Sequence, residues 1–343
     1  MQKRDVVIQA VTHHRPPYVP WDVAYSPTAW RQLGESRRAG SETNVEQYAG
    51  NHFAYINSTV GAFTDQPDGR LRDGFGATWR RGDDGLAGMI EGQVLPEPTL
   101  TGYSFPDARD EKHYAHIPEL IDRHRERFRI FAIGFTLLER AWTLRGMEPL
   151  MIDLIERPEF VGELLDAITE VNLAQIEMAL RHDFDCVHFG DDWGQQRGLL
   201  IGRPLWRRFI FPRMQRMCDA VRRAGKFISI HSCGRIDELF DDLVELGVNI
   251  VNPFQPECMD VLGLMRSYAG RLAFHGGLST QQTLPGKSLD VLRLQTRRLL
   301  EAGAAGGYVF APAHGVGEDV PVENVLAMLD VLRSQPGFLR GQA

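Results

Sequence analysis

Phe227-Ile228-Ser229-Ile230-His231-Ser232-Cys233-Gly234 is the stretch whose reading decides the fold. The short apolar run Phe227–Ile230 reads as a buried strand. An imidazole and a thiol, two residues apart, stand just past its carboxyl end. In extended backbone, side chains at i and i+2 point the same way. Imidazole and thiolate are a donor pair that zinc prefers. In a parallel α/β barrel, the carboxyl ends of the strands are where active sites sit.

The same unit recurs on either side. The segments Ile130–Ile133, Cys186–Phe189, Asn249–Val251, Leu272–Phe274 and Tyr308–Ala311 all read as short strands, apolar on both faces. Between and around them the pattern predicts helices near 117–127, 145–156, 159–182, 204–223, 236–246, 259–268, 289–302 and 321–333, with a kink or break at Pro212. Strands buried on both faces and alternating with helices specify a parallel sheet covered by helices. No Gly-x-Gly-x-x-Gly follows a strand, which counts against a dinucleotide-binding sheet. The expected fold is α/β, a (β/α)8 TIM barrel forming a single domain over residues 1–343. Residues 1–110 are rich in Pro, Gly and aromatics. They read as turns and short hairpins, an elaborated N-terminal cap with the first barrel elements, and residues 111–335 carry the regular units.

Bulk composition narrows the class. The chain has 343 residues, 43% hydrophobic and 24% charged, as expected of a soluble globular protein with a large core. Its formal net charge of -7 argues against nucleic-acid or anionic-membrane partners, which need a basic face. Four cysteines in this length make no disulfide framework. No apolar run reaches the roughly 18 residues of a membrane span. Met1–Ile8 contains an acid and no long apolar core, so no signal peptide is expected. The expected location is the cytoplasm.

Polar, chemically able residues follow each strand. Glu139 and Arg140 follow the first, Gly190-Asp191-Asp192-Trp193-Gly194 the second, and His231 and Cys233 the third. Asn252 and Gln255, then His275-Gly276-Gly277, then His314 follow the later ones. Together they read as an active-site rim. His231 and Cys233 supply two metal ligands, and His314, ending the last strand at a shared barrel mouth, is the expected third. Asp191, Asp192 and Glu139 are the expected catalytic carboxylates, able to act as acid or base or to accept a substrate hydrogen bond. Because Asp191 and Asp192 are adjacent they point apart, so only one need face the mouth, and a helix-cap role is the competing reading. Trp21, Asp22 and Tyr25 in the Pro-bounded N-terminal segment, with Trp193, Asn252, Gln255 and His275, are the expected substrate contacts. Gly276-Gly277 reads either as an anion-binding pair of N–H groups or as a plain tight turn. Cys186, Cys218 and Cys258 read as packed, apolar residues.

These motifs, in this order, resemble the uroporphyrinogen decarboxylase superfamily, which includes the zinc-dependent corrinoid methyltransferases. The resemblance runs from Ala10-Val11-Thr12-His13-His14-Arg15-Pro16-Pro17-Tyr18-Val19-Pro20, through Gly190–Gly194 and the helix with Trp206 and Pro212. It ends at Pro312-Ala313-His314-Gly315 and Asp319–Asn324. It implies the (β/α)8 barrel. The decarboxylase branch opens its pocket with an Arg-Gln-Ala-Gly-Arg type segment that neutralises a many-armed carboxylate substrate. Here Val19-Pro20-Trp21-Asp22-Val23-Ala24-Tyr25 has an acid and no arginine, so that substrate is repelled. The methyltransferase branch holds zinc by His-x-Cys and a later Cys, matched here by His231 and Cys233, with His314 in the third place. The exchange removes one anionic ligand and makes a bound zinc a stronger Lewis acid.

The resemblance therefore implies a zinc-dependent methyltransferase, moving a methyl group between a small substrate and a corrinoid on a separate partner protein. Two alternatives stand beside it: a cofactor-free decarboxylase, and a barrel that binds a metal or ligand without turnover. The reading admits a homodimer.

Overall fold

The computed structural model of the chain describes residues 1–36, 45–82 and 87–338. They fall into two compact units that interleave along the sequence. One comprises Met1–Ala54, His124–Arg129 and Asn249–Ala343, and the other Tyr55–Arg123 and Ile130–Val248.

The second unit holds the strand pair on which the decisive stretch lies. Strands β1 (Phe128–Ile133), β2 (Cys186–Gly190) and β3 (Phe227–His231) are neighbours in that order. β1 and β2 pair in parallel over Ile130–Ile133, and β2 and β3 pair in parallel with Phe227 opposite Cys186 and His231 opposite Gly190. Val187, Phe189, Ile228 and Ile230 are fully buried. That is why these strands read as apolar runs: each parallel strand is covered on both faces.

Helix α1 (Leu138–Arg145) follows β1, and the 22-residue α2 (Pro158–Ala179) begins on a proline, whose fixed φ and missing N–H suit a first helical turn. The break expected at Pro212 occurs: α3 (Gly202–Phe209) stops and α4 (Phe211–Arg223) starts, with Pro212 in its first turn. Arg203 and Arg207 pair with the buried Asp242, while Trp206 between them is fully buried.

Four short antiparallel segments, Thr64–Asp65, Leu71–Arg72, Thr78–Arg81 and Ala87–Glu91, form a separate small sheet. Its buried side, Leu71, Ala77 and Trp79, packs against Phe135.

The first unit carries β4 (Ile250–Phe254), β5 (Ala273–Leu278) and β6 (Tyr308–Pro312), again parallel and adjacent. The N-terminal segment extends this row: Asp22 N–H donates to Phe310 O, Phe310 N–H to Pro20 O, and His52 N–H to Trp21 O. Residues that read as an irregular cap thus supply strand-like backbone at Trp21. The same region contains helices at Lys3–Val11 and Pro27–Glu35 that the turn-rich composition concealed.

Gly276 and Gly277, read as a turn or an anion nest, lie inside β5 and are buried, and Gly276 O accepts from the Tyr308 hydroxyl at 2.6 Å. Cys186 and Cys218 are buried as expected, and Cys258 is half-buried. No helix among the described residues is long and apolar enough to cross a membrane.

Candidate metal centre and its carboxylates

The parallel register of β2 and β3 builds the site. Gly190 stands opposite His231, so two residues further on Asp192 stands beside Cys233. The Cys233 N–H donates to Asp192 Oδ1 at 2.7 Å, fixing that carboxylate against the His-Ser-Cys turn. Gly234 closes the turn at φ +81, and a Cβ there would run into the backbone of Gly194 and Gln195, so only glycine fits.

His231 Nε2 lies 3.5 Å from Cys233 Sγ and 3.7 Å from Asp192 Oδ1, and the three ligand atoms all lie within 4.8 Å of one another. Zinc bonds of about 2.0–2.3 Å at tetrahedral angles place neighbouring donors about 3.4–3.6 Å apart. An imidazole, a thiol and a carboxylate at this spacing therefore fit zinc. His231 and Asp192 remain partly open, with 28% and 31% of their side chains exposed. His314 lies exposed just past β6, in the first unit. The third donor gathered around His231 and Cys233 within the second unit is Asp192, which the sequence reading placed among the catalytic carboxylates.

Asp191 and Asp192 do point apart. Asp191 is fully buried and accepts four hydrogen bonds: from the N–H groups of Leu137, Leu138 and Glu139, and from Trp193 Nε1. It caps the start of α1 from just past the end of β2, satisfying donors that have no partner within the helix. Burial pushes it up to about 6 while those donors pull it down, so it is ionised at neutral pH. Glu139 is pushed up to about 9, by burial first and then by the charges of Asp191 and Asp192, while the Asp192 N–H it accepts works the other way. Three neighbouring carboxyls thus divide their roles: Asp191 stays charged within the cap, Asp192 faces the thiol and imidazole, and Glu139 keeps a proton at neutral pH.

Arg140, next to Glu139, turns away from the site. It donates to Asp73 Oδ2 at 2.6 Å, with both side chains buried, and its guanidinium lies 3.9 Å from the centre of the Phe75 ring. Trp193 is fully buried, packed 5.2 Å from Trp206, and serves the Asp191 cap. One polar residue on this sheet face was read only as part of a strand: His188, whose Nδ1 lies 2.9 Å from Ser229 Oγ and whose ring centre lies 6.2 Å from that of His231. A histidine inside an otherwise apolar strand is the signal that marked it.

The expected contacts of the first unit form their own arrangement. Trp21 is fully buried and donates through Nε1 to Ala49 O. Tyr25 is half-buried, and Gln255 is buried. Asp22 and His275 are both buried, with His275 Nε2 3.9 Å from Asp22 Oδ2. The Asn252 amide lies 3.1 Å from His275 Nδ1 and also donates to His275 O. Burial pushes Asp22 up to about 7, against Arg127 and a Phe53 backbone hydrogen bond that lower it.

The chain is a parallel α/β protein of TIM-barrel-like fold, with an imidazole, a thiol and a carboxylate gathered at its strand ends. The uroporphyrinogen decarboxylase (URO-D) family model matches residues 108–335, and the chain belongs to that family. It is 25% identical over 190 residues to a uroporphyrinogen decarboxylase of Anaeromyxobacter dehalogenans, a match covering 55% of this chain and 52% of that one. It is 29% identical over 178 residues to the Novosphingobium aromaticivorans uroporphyrinogen decarboxylase, covering 51% and 50%. The chain thus matches about half the length of these curated relatives. Among solved structures it resembles a methyltransferase from Methanosarcina mazei, with a TM-score of 0.73 at 16% identity over 97% of this chain and 98% of the other. That likeness shows the fold: the parallel α/β, TIM-barrel-like class expected from the strand–helix alternation is the one found, with seven strands in the main sheet among the described residues rather than the eight expected.

Proposed function

We propose that the protein is a zinc-dependent methyltransferase that moves a methyl group between a small substrate and a corrinoid carried by a separate protein. The observation that carries this reading is the donor spacing at His231, Cys233 and Asp192, 3.5 and 3.7 Å from the shared imidazole nitrogen. The fold likeness to the Methanosarcina methyltransferase supports it. Zinc bound there lowers the pKa of a substrate thiol or hydroxyl, or polarises it.

The chain's own residues do the rest. His231, Cys233 and Asp192 hold the metal, and the Cys233 N–H keeps the Asp192 carboxylate in place. The ionised Asp191 fixes the first turn of α1, and with it the backbone of Glu139. Glu139 holds a proton beside the site at neutral pH and is the group placed to deliver or accept one.

The test is a methyl-transfer assay. Zinc-loaded protein is mixed with methylcobalamin and a panel of small thiols and alcohols, and the cobalamin spectrum is followed. Demethylation that is lost in Cys233→Ser supports the reading. Carbon dioxide release from a carboxylated substrate, without demethylation and unaffected by Cys233→Ser, supports the cofactor-free decarboxylase instead. The burial of Glu139 beside Asp191 and Asp192, which pushes its carboxyl up to about 9, favours that second reading, since a decarboxylated carbon needs a proton donor.

A further inference from the structure

A cavity of about 360 Å³ opens within the first unit, where two helices end beside residues 15–19. The helices are α5 (Leu289–Gly303) and α6 (Val322–Arg333). The walls are fixed by the fold. Pro16 and Pro17 restrict the backbone. Gln335, just past α6, ties down Val19: its side-chain oxygen accepts from Val19 N–H at 2.9 Å, and its amide donates to Val19 O at 3.1 Å and Leu332 O at 3.0 Å. Val19, Leu300 and Val331 give the cavity an apolar floor. A preformed cavity of this volume, apolar below and carrying a few polar groups, has the form of a small-molecule site.

Three charged side chains line it: Arg15, Arg297 and Glu301, all exposed. None of the three has an ion-pair or side-chain hydrogen-bond partner among the described residues. Arg297 and Glu301 are one turn apart on α5 and yet do not pair; an arginine four residues before a glutamate is the weaker order for such a pair. The end of α5 adds partial negative charge at the same place, because its last turn holds no basic residue. The charges thus sort into two kinds. The guanidiniums of Arg15 and Arg297 suit a carboxylate, and Glu301 with the end of α5 suits an ammonium.

We propose that this cavity binds a free α-amino acid with an apolar side chain. Its carboxylate lies on Arg297 and Arg15, its ammonium on Glu301, and its side chain on Val19, Leu300 and Val331. The two charges of an α-amino acid are two bonds apart from a shared carbon, and Arg297 and Glu301 stand on one helix face about 5–6 Å apart at their Cβ atoms. A fatty acid leaves Glu301 facing an anion, and an alkyl amine leaves both arginines unanswered, so only the zwitterion satisfies all three residues. The cavity belongs to the first unit and the proposed metal set to the second, so this inference does not depend on the metal.

Calorimetric titration of the full chain provides the test. Leucine and phenylalanine are compared with 4-methylpentanoate, which lacks the ammonium, with 3-methylbutylamine, which lacks the carboxylate, and with glycine, which lacks the side chain. At least one of the two apolar amino acids is expected to bind more tightly than about 1 mM, and each of the three lesser probes about tenfold or more weakly than that one. Arg297→Ala weakens the amino acid about tenfold and leaves the amine unchanged. Glu301→Gln brings the amino acid down to the affinity of 4-methylpentanoate. Ala304→Trp, at an exposed position on the cavity wall, blocks all binding. These positions are exposed, and melting curves verify that each variant folds. Binding of neither amino acid in that range, 4-methylpentanoate bound as tightly as leucine, or an affinity unmoved by all three variants overturns the proposal.

Discussion

Asp191 receives four N–H donors at once, three from the start of one helix and one from an indole. Removing its carboxylate strands all four in a place fully closed to water. Each unsatisfied buried donor costs about 1–3 kcal/mol. Asp191→Ala is therefore expected to lower stability by about 3 kcal/mol or more, measured by urea unfolding. A loss below about 1 kcal/mol contradicts the cap role. Its neighbour Asp192 faces the other way, and Asp192→Asn is expected to fold like the wild type and to change the metal site alone, a contrast readable from melting curves of the metal-free proteins. One position in the chain separates scaffold from chemistry here. The sequence states that adjacent residues point apart but not which of the two faces the site. That choice is made by the N–H groups of Leu137, Leu138 and Glu139, more than fifty residues earlier.

Helix α1 shows why an element can be invisible in sequence and secure in structure. Leu138-Glu139-Arg140-Ala141-Trp142-Thr143-Leu144-Arg145 has mixed polarity, and its cap comes from Asp191, just past the end of β2, rather than from a local Ser, Thr or Asp. Its anchor is equally distant: Arg140 pairs with Asp73 beside the small antiparallel sheet, and Asp73 also accepts from Phe75 N–H and Ala77 N–H. Breaking one partner of a buried ion pair typically costs about 3–5 kcal/mol, because the other charge is left uncompensated. Arg140→Met and Asp73→Ala are each expected to destabilise by that order. The double variant is expected to lose clearly less than their sum, with a coupling of at least about 1 kcal/mol in a double-mutant cycle. Additive losses contradict the pairing. The break at Pro212, by contrast, was fully legible, since the missing N–H and fixed φ act on their own helix. The strands β1 to β6 were legible for the same kind of reason: their apolar character is local. The two-residue antiparallel strands and the strand-like Trp21 were not, because their pairing partners lie far along the chain.

Among the described residues, burial pushes three carboxyls well above their ordinary range: Asp191 to about 6, Asp22 to about 7 and Glu139 to about 9. The sign for Asp22 follows from linkage. In the unfolded chain it ionises near 3.8, whereas in the fold burial holds its proton until about 7. Between those values the unfolded state binds fewer protons than the folded one, so stability falls as pH rises, and above about 7 the penalty is complete. Glu139 acts in the same direction over a higher range. Asp22→Asn cannot ionise, so its stability relative to wild type is expected to improve steadily from pH about 4 to about 7 and then level off. Thermal melts across that range check this, and a constant difference contradicts it. Nothing in Pro20-Trp21-Asp22 announces this behaviour. It arises because the segment is drawn into the row beside Phe310 and His52, where water is excluded.

Two of the three donors of the proposed metal set were legible in the sequence, for a comparable reason. His231 and Cys233 share a strand end and are visible in four residues of sequence. Asp192 joins them only through the register that sets Gly190 opposite His231. The account's central claim is that these three residues hold zinc, and metal analysis tests it most directly. Protein purified without added metal is predicted to carry about one equivalent of zinc. His231→Ala and Cys233→Ser are predicted to lose it, and Asp192→Asn to bind it at least about tenfold more weakly. Folded wild-type protein without zinc, unable to take it up from solution, or an Asp192→Asn variant that binds zinc as tightly as wild type, would contradict the claim.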